Sequence, residues 1–110
     1  MLKKCEQSTR TYLKMYKIEW TPSALRDYYE NIDYLYEHWT QKEAIHFTRK
    51  LNEYLSIISK KPKTFSATTY KKVRKVPIVK QVTLYYRIHQ SHIQILRLWN
   101  NFKNPSNLNL

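Results

Sequence analysis

Residues 71–99 read KKVRKVPIVKQVTLYYRIHQSHIQILRLW, and through this stretch the apolar side chains recur every second position. Lys71 to Val76 alternates basic with apolar residues, which predicts a strand closed by Pro77. Ile78 to His89 predicts a longer strand, with Ile78, Val82, Leu84, Tyr86 and Ile88 on one face. Gln81, Thr83, Tyr85, Arg87 and His89 take the other face. Gln90-Ser91 reads as a tight turn made without glycine, and His92 to Trp99 as a third strand. Its apolar residues fall on both faces, Ile93, Ile95 and Trp99 against Leu96 and Leu98, the pattern of a central strand.

Upstream, the period is helical. Thr21-Pro22 is a helix start, Thr as N-cap and Pro where its missing N–H costs nothing. Leu25, Tyr28, Tyr29, Ile32, Leu35, Tyr36 and Trp39 then trace one apolar stripe, with Arg26, Asp27, Glu30, Asp33 and Glu37 on the other side. Thr40-Gln41-Lys42-Glu43 matches a capping box. A second stripe follows, Ala44, Phe47, Leu51, Tyr54, Leu55 and Ile58, ending near Ser59 before Lys60-Lys61-Pro62-Lys63. So short a connection folds two helices back as an antiparallel hairpin. Met15 to Trp20 puts Tyr16, Ile18 and Trp20 on one face of a short strand, and residues 64–70 read as a loop.

The order is strand, two helices, three strands. It predicts an α+β domain: an N-terminal strand and an antiparallel helical hairpin packed on a small, mostly antiparallel sheet completed by three C-terminal strands. Residues 15–110 form that single domain, and the polar, basic residues 1–14 are an extension or arm. Asn100 to Leu110, rich in Asn and holding Pro105, reads as a loosely packed tail.

At 110 residues, ten of them Tyr, three Trp and three Phe, the chain can fill one core and no second. It has no glycine, which removes every glycine-dependent phosphate loop. Its one cysteine, Cys5, can form neither an internal disulfide nor a thiolate zinc site, so the expected compartment is the cytoplasm. There is no run long enough to cross a membrane and no secretory leader pattern before Met15.

Charge is divided along the chain. All eight acids (Glu6, Glu19, Asp27, Glu30, Asp33, Glu37, Glu43 and Glu53) lie in residues 1–53 beside nine Lys or Arg, a net +1. Residues 54–110 carry eleven basic residues and no acid, a net +11. A field of that sign predicts an anionic partner: nucleic acid, an acidic protein segment or a membrane surface. The signatures of common nucleic-acid modules are absent. A membrane-surface protein would set its cations opposite an apolar helix face, whereas here they fall on strands.

Several segments carry a resemblance in their order and spacing. They are Tyr16-Lys17-Ile18-Glu19-Trp20 before Thr21-Pro22-Ser23-Ala24, then Trp39-Thr40, Ala44, Phe47 and Pro62. Val73-Arg74-Lys75, Leu84-Tyr85-Tyr86-Arg87-Ile88, Ile93-Gln94-Ile95-Leu96-Arg97-Leu98-Trp99 and Asn104-Pro105 follow. Together they resemble the RelE/ParE superfamily of toxins from bacterial type II toxin–antitoxin systems, the plasmid stabilisation family, over about Met15 to Leu108. The resemblance implies a small basic toxin held inactive by an acidic or amphipathic antitoxin encoded beside it, as monomer or homodimer when free. It implies operator DNA bound only through the antitoxin. The target is DNA gyrase in the ParE branch and messenger RNA on the ribosome in the RelE branch. A decayed member, folded but inactive, is a further alternative.

Metal-independent RNA cleavage needs a base for the 2′-OH, cations for the phosphorane and an acid for the leaving oxygen. The nuclease candidates are Lys72, Arg74, Lys80, Arg87 and Lys103; no metal or cofactor is expected. An acid–base pair is not evident: Asn100, Asn101, Phe102 and Lys103 follow the last strand, no Tyr follows Tyr86 and no His follows His92. Convergence of Lys103 with Arg74 and Arg87 on one concave site keeps cleavage open, and divergence favours binding. The expected partner-facing residues are Arg74, Lys75, Lys80, Tyr85, Arg87 and Arg97. His89 and His92 read as turn residues and His38 and His46 as surface residues, and the helix tyrosines 28, 29 and 36 read as core.

Overall fold

The computed structural model describes residues 15–110 apart from 39, 71, 104–106 and 109. The expectations placed on residues 1–14, with Cys5 among them, on Trp39, Lys71, Asn104 and Pro105 lie outside the described residues. In chain order the elements are β1 (Lys17–Trp20), α1 (Pro22–His38), α2 (Gln41–Lys60), a 3-10 turn at Pro62–Thr64, and β2 (Ser66–Ala67). Then come β3 (Val73–Val79), β4 (Val82–Ile88) and β5 (His92–Asn100). The five strands make one sheet in the order β1-β5-β4-β3-β2, and the two helices pack on it. β1 runs parallel to β5 and every other pair is antiparallel. This is the expected α+β architecture, with β5 in the interior of the sheet as its two-faced apolar pattern requires.

Local chemistry explains the helix starts. Thr21 Oγ1 accepts the Ala24 N–H at 3.1 Å and donates to the Ile95 carbonyl at 2.9 Å, so one hydroxyl caps α1 and ties it to β5. At α2 the capping box is complete: Glu43 N–H donates to Thr40 Oγ1 at 3.2 Å and Thr40 N–H to Glu43 Oε1 at 3.0 Å. Ala44, Phe47, Leu51 and Ile58 of α2 are buried against Val76, Ile78, Val82, Leu84, Tyr86, Ile93, Ile95 and Leu98 of the sheet. Each fully buried large side chain here contributes roughly 2 kcal/mol of apolar transfer. Tyr86, buried in that core, donates its hydroxyl to the Pro62 carbonyl at 2.6 Å and so joins β4 to the 3-10 turn.

Three expectations are corrected. The buried face of α1 is Ala24, Asp27, Asn31 and Leu35, with Tyr28 and Ile32 packed beside it. Tyr29 is 62% and Tyr36 70% exposed, and Leu25 also faces outward, so the expected stripe is rotated. The cause is that two polar residues of α1, Asp27 and Asn31, are needed inside to pair with the Leu98 backbone. Second, β3 runs through Pro77 to Val79 with a bulge between them, and the reversal falls at Lys80-Gln81. Ile78 and Val79 therefore belong to β3. Pro77 is tolerated because β2 pairs only with Arg74 and Lys75, leaving no neighbour at Pro77 that needs an N–H. Third, the expected loop over residues 64–70 holds the two-residue strand β2.

Candidate functional site

The acid-free half of the chain gives the site its charge, and the sheet register decides where that charge goes. Lys75 of β3 pairs with Tyr85 of β4, which pairs with Arg97 of β5, placing the three in one row across the sheet. Arg87 lies one row on, between Val73 and Gln94. Arg74 pairs with Tyr86 and so belongs to the helix side; its guanidinium donates to the Phe65 carbonyl at 2.7 Å. Lys80 sits in the β3–β4 turn, which Asn101 fastens by donating from Nδ2 to the Lys80 carbonyl at 3.0 Å.

Two of the sequence candidates have carboxylate partners. Arg97 donates to both carboxylate oxygens of Asp27, from Nε at 2.6 Å and from Nη2 at 3.0 Å, and its guanidinium stands 5.0 Å from the Trp99 ring. The Asp27 hydrogen bond holds the Arg97 pKa above its ordinary value, against the opposing effect of burial. Lys103 donates to Glu30 at 3.2 Å and lies 5.8 Å from the same ring. In both cases the charge is met by α1.

This seam also explains the rotated helix. β1 pairs with β5 only from His92 to Ile95, so the strand edge beyond has no strand beside it. At Leu98 side chains of α1 substitute: Asp27 Oδ2 accepts the Leu98 N–H at 3.0 Å, and Asn31 Nδ2 donates to the Leu98 carbonyl at 2.9 Å. The Leu98 N–H and carbonyl, left unpaired in this buried place, would each cost about 1–3 kcal/mol. The sequence signal was present: Ala24, Asp27, Asn31 and Leu35 have helical spacing, but two polar members conceal the stripe.

The remaining cations differ. Among the described residues no carboxylate pairs with Lys72, Lys75, Lys80 or Arg87. Lys72 and Arg87 line a hollow with Thr69 and Tyr70 where β4 ends and β3 begins. Lys80 and Lys103 lie toward the opposite end of β4, roughly 20 Å along the strand. Arg74 is on the other side of the sheet. Lys103, Arg74 and Arg87 therefore diverge.

Among the described residues no histidine or carboxylate lines the hollow of Lys72 and Arg87; the phenol hydroxyls beside the open cations are those of Tyr70 and Tyr85. Tyr86 is not a proton-transfer group: burial pushes its hydroxyl up to about 12, despite the opposing pull of Arg74, and the proton is engaged with Pro62. His89 and His92 stack on each other with centroids 4.4 Å apart, half-buried rather than pointing into solvent from the turn. His89 Nε2 is hydrogen-bonded to Gln94 Oε1 at 3.0 Å, and His92 Nε2 lies 3.6 Å from Glu19. His38 and His46 are exposed, as expected. No group of three His, Cys, Asp or Glu among the described residues is arranged to hold a metal ion, and no helix there is long and apolar enough to cross a membrane.

Comparison with known proteins agrees with this fold. Residues 18–103 match the family described as the ParE toxin of type II toxin–antitoxin systems. The fold is similar to the chromosomal ParDE system of P. aeruginosa, with TM-score 0.64 and 18% identity over 78% of this chain and 96% of that one. A copper-bound mutant toxin from Helicobacter pylori gives TM-score 0.56 at 22% identity over 78% and 94% of the two chains. The YoeB dimer of Staphylococcus aureus gives 0.53 at 19% over 76% and 94%. No curated protein sequence matches the chain.

Proposed function

The chain belongs to the ParE toxin family of type II toxin–antitoxin systems, and from that premise we propose that its toxin domain, residues 15–110, acts by binding rather than by cutting RNA. The face carrying Lys75, Lys80, Tyr85 and Arg87, extended by Lys72, meets carboxylates of a cognate antitoxin in the inactive complex. When free it meets the cellular target, DNA gyrase in preference to messenger RNA on the ribosome. The observation that carries this reading is that Arg74, Arg87 and Lys103 point apart and that, among the described residues, no histidine or carboxylate lines the hollow of Lys72 and Arg87. A phosphodiester transition state needs cation, base and acid within a few ångströms of one phosphorus. A binding face needs only unneutralised charge spread over an area that a partner can cover.

Neutralisation follows from the same charge. With no carboxylate among the described residues paired to its cations, this face is repaid for desolvation by a partner that supplies acids. Controlled expression from Met15 in a bacterium, without the neighbouring gene, tests the proposal. Growth arrest with broken DNA and intact messages, reversed by co-expression of a short acidic protein encoded alongside, is the expected result. Arrest with cut messenger RNA overturns the binding reading, and unimpaired growth with folded protein identifies a decayed toxin.

A further inference from the structure

The hollow at Thr69, Tyr70, Lys72 and Arg87 has features that a general anion-attracting face does not require. It is open, with a volume of about 580 Å³, in the range of sites that hold a whole small molecule. A lone phosphate or carboxylate would fill a fraction of it. Its two cations have no carboxylate partner among the described residues, and its one ring, Tyr70, is 53% exposed with the Arg87 guanidinium 5.9 Å from the ring centre.

The loop that carries Tyr70 and Lys72 is pinned. Thr68 N–H donates to the Val73 carbonyl at 2.9 Å and Val73 N–H to the Tyr70 carbonyl at 3.2 Å. Tyr70 N–H donates to Thr68 Oγ1 at 3.1 Å. Lys72 has φ 58°, the one left-handed non-glycine residue among those described. A lysine adopts that conformation at a cost, which the closed loop enforces, and such strain is found where a side chain must be presented in a fixed place. Arg87 is set on β4 between two strand partners. The backbone that carries the cations and the ring is thus set before any ligand arrives.

We propose that this hollow binds a nucleotide, with the phosphate held by Lys72 and Arg87 and the base lying on Tyr70. The inference rests on the reading of the open cations as a binding face and adds the ligand's chemistry. Charge alone would take any anion; an exposed ring beside two cations matches phosphate with a π-face attached. The nucleotide is either free or one unit of a single strand, and the two sources share this chemistry.

Titration of the folded full chain with adenosine 5′-monophosphate, ribose 5-phosphate, hexa-adenylate RNA and hexaglutamate, at fixed salt, tests it. The monophosphate should bind about tenfold more tightly than ribose 5-phosphate, and Tyr70→Ala should reduce that ratio to near one. Arg87→Gln should weaken both about tenfold. Lys72→Gly, which suits the left-handed backbone and keeps the fold, should weaken both as well. Hexamer binding tighter than the monophosphate, with the same dependence on Tyr70, assigns a strand; equal affinity assigns a free nucleotide. Equal binding of the monophosphate and the sugar phosphate by the wild-type chain overturns the proposal, as does hexaglutamate binding that falls with Tyr70→Ala while monophosphate binding does not, which would make the hollow a peptide site. Absent nucleotide binding in a chain that still arrests growth defeats the hollow alone. Nucleotide binding in a chain that leaves growth unaffected defeats the toxin reading alone.

Discussion

Two regions of the same sheet carry positive charge to opposite ends. At the α1–β5 seam, Arg97 and Lys103 meet Asp27 and Glu30, and the charge is neutralised within the fold. Along the β3–β4 hairpin, Lys72, Lys75, Lys80 and Arg87 meet no carboxylate among the described residues, and the charge is available to a partner. The acids explain the division. All of them lie in residues 1–53, and α1 brings Asp27 and Glu30 to one edge of the sheet only. A count of basic residues does not locate a binding face; the reach of the acidic helix does.

The largest effect should come from breaking the seam. Asp27 serves both Arg97 and the Leu98 N–H with its side chain 6% exposed, so Asp27→Ala leaves a nearly buried cation and an orphaned donor. Such losses cost about 3–5 kcal/mol, to be read as a lowered urea midpoint at constant slope. A loss below about 1 kcal/mol would mean that Arg97 finds solvent easily and that the seam resembles the hairpin.

Tyr86 gives the next effect, through pH. Its folded-state pKa, raised to about 12 by burial, lies above the ordinary 10.0, so the unfolded chain loses this proton first. The contribution is complete below pH ~10 and disappears as pH rises toward ~12, a decline on the order of 2 kcal/mol. Denaturation at pH ~9 and ~11.5 should show it, and Tyr86→Phe should flatten the decline. A mutant as alkali-sensitive as the wild type would place the titrating group elsewhere. Thr40→Ala removes the α2 cap for about 1 kcal/mol, measurable as a small drop in Tm. Lys75→Gln and Lys80→Gln should change stability by less than about 0.5 kcal/mol; a larger loss would show that the hairpin cations are structural after all.

The sequence made legible what depends on neighbours in the chain. The Thr40–Glu43 box, the α2 stripe from Ala44 to Ile58 and the Gln90-Ser91 reversal could all be read because their partners lie within a few residues. The turn of α1 could not be. Asp27 and Asn31 face inward to serve Leu98, about seventy residues away, and no periodicity reports that an edge strand lacks a neighbour. Pro77 misled for a related reason: whether proline ends a strand depends on who sits beside it, and β2 stops short. For the site, the acid-free half announced an anionic partner, but Arg74, Arg97 and Lys103 look the same in sequence as Lys75 and Arg87. Only the fold separates cations already engaged from cations left open. The rings of the site were half visible: Tyr85 followed from strand alternation, whereas Tyr70 fell in a segment read as loop and gained its role only when β3 brought it beside Arg87.

Comparison of Arg87→Gln with Arg97→Gln, each assayed for thermal stability and for growth arrest, separates the two regions most directly. Arg87→Gln should melt within a few degrees of the wild type and lose growth arrest or antitoxin binding. Arg97→Gln should melt well below the wild type, with any loss of function following the loss of folded protein. An Arg87 variant that arrests growth and binds antitoxin like the wild type, beside an equally stable Arg97 variant that does neither, would contradict the division of charge between seam and hairpin.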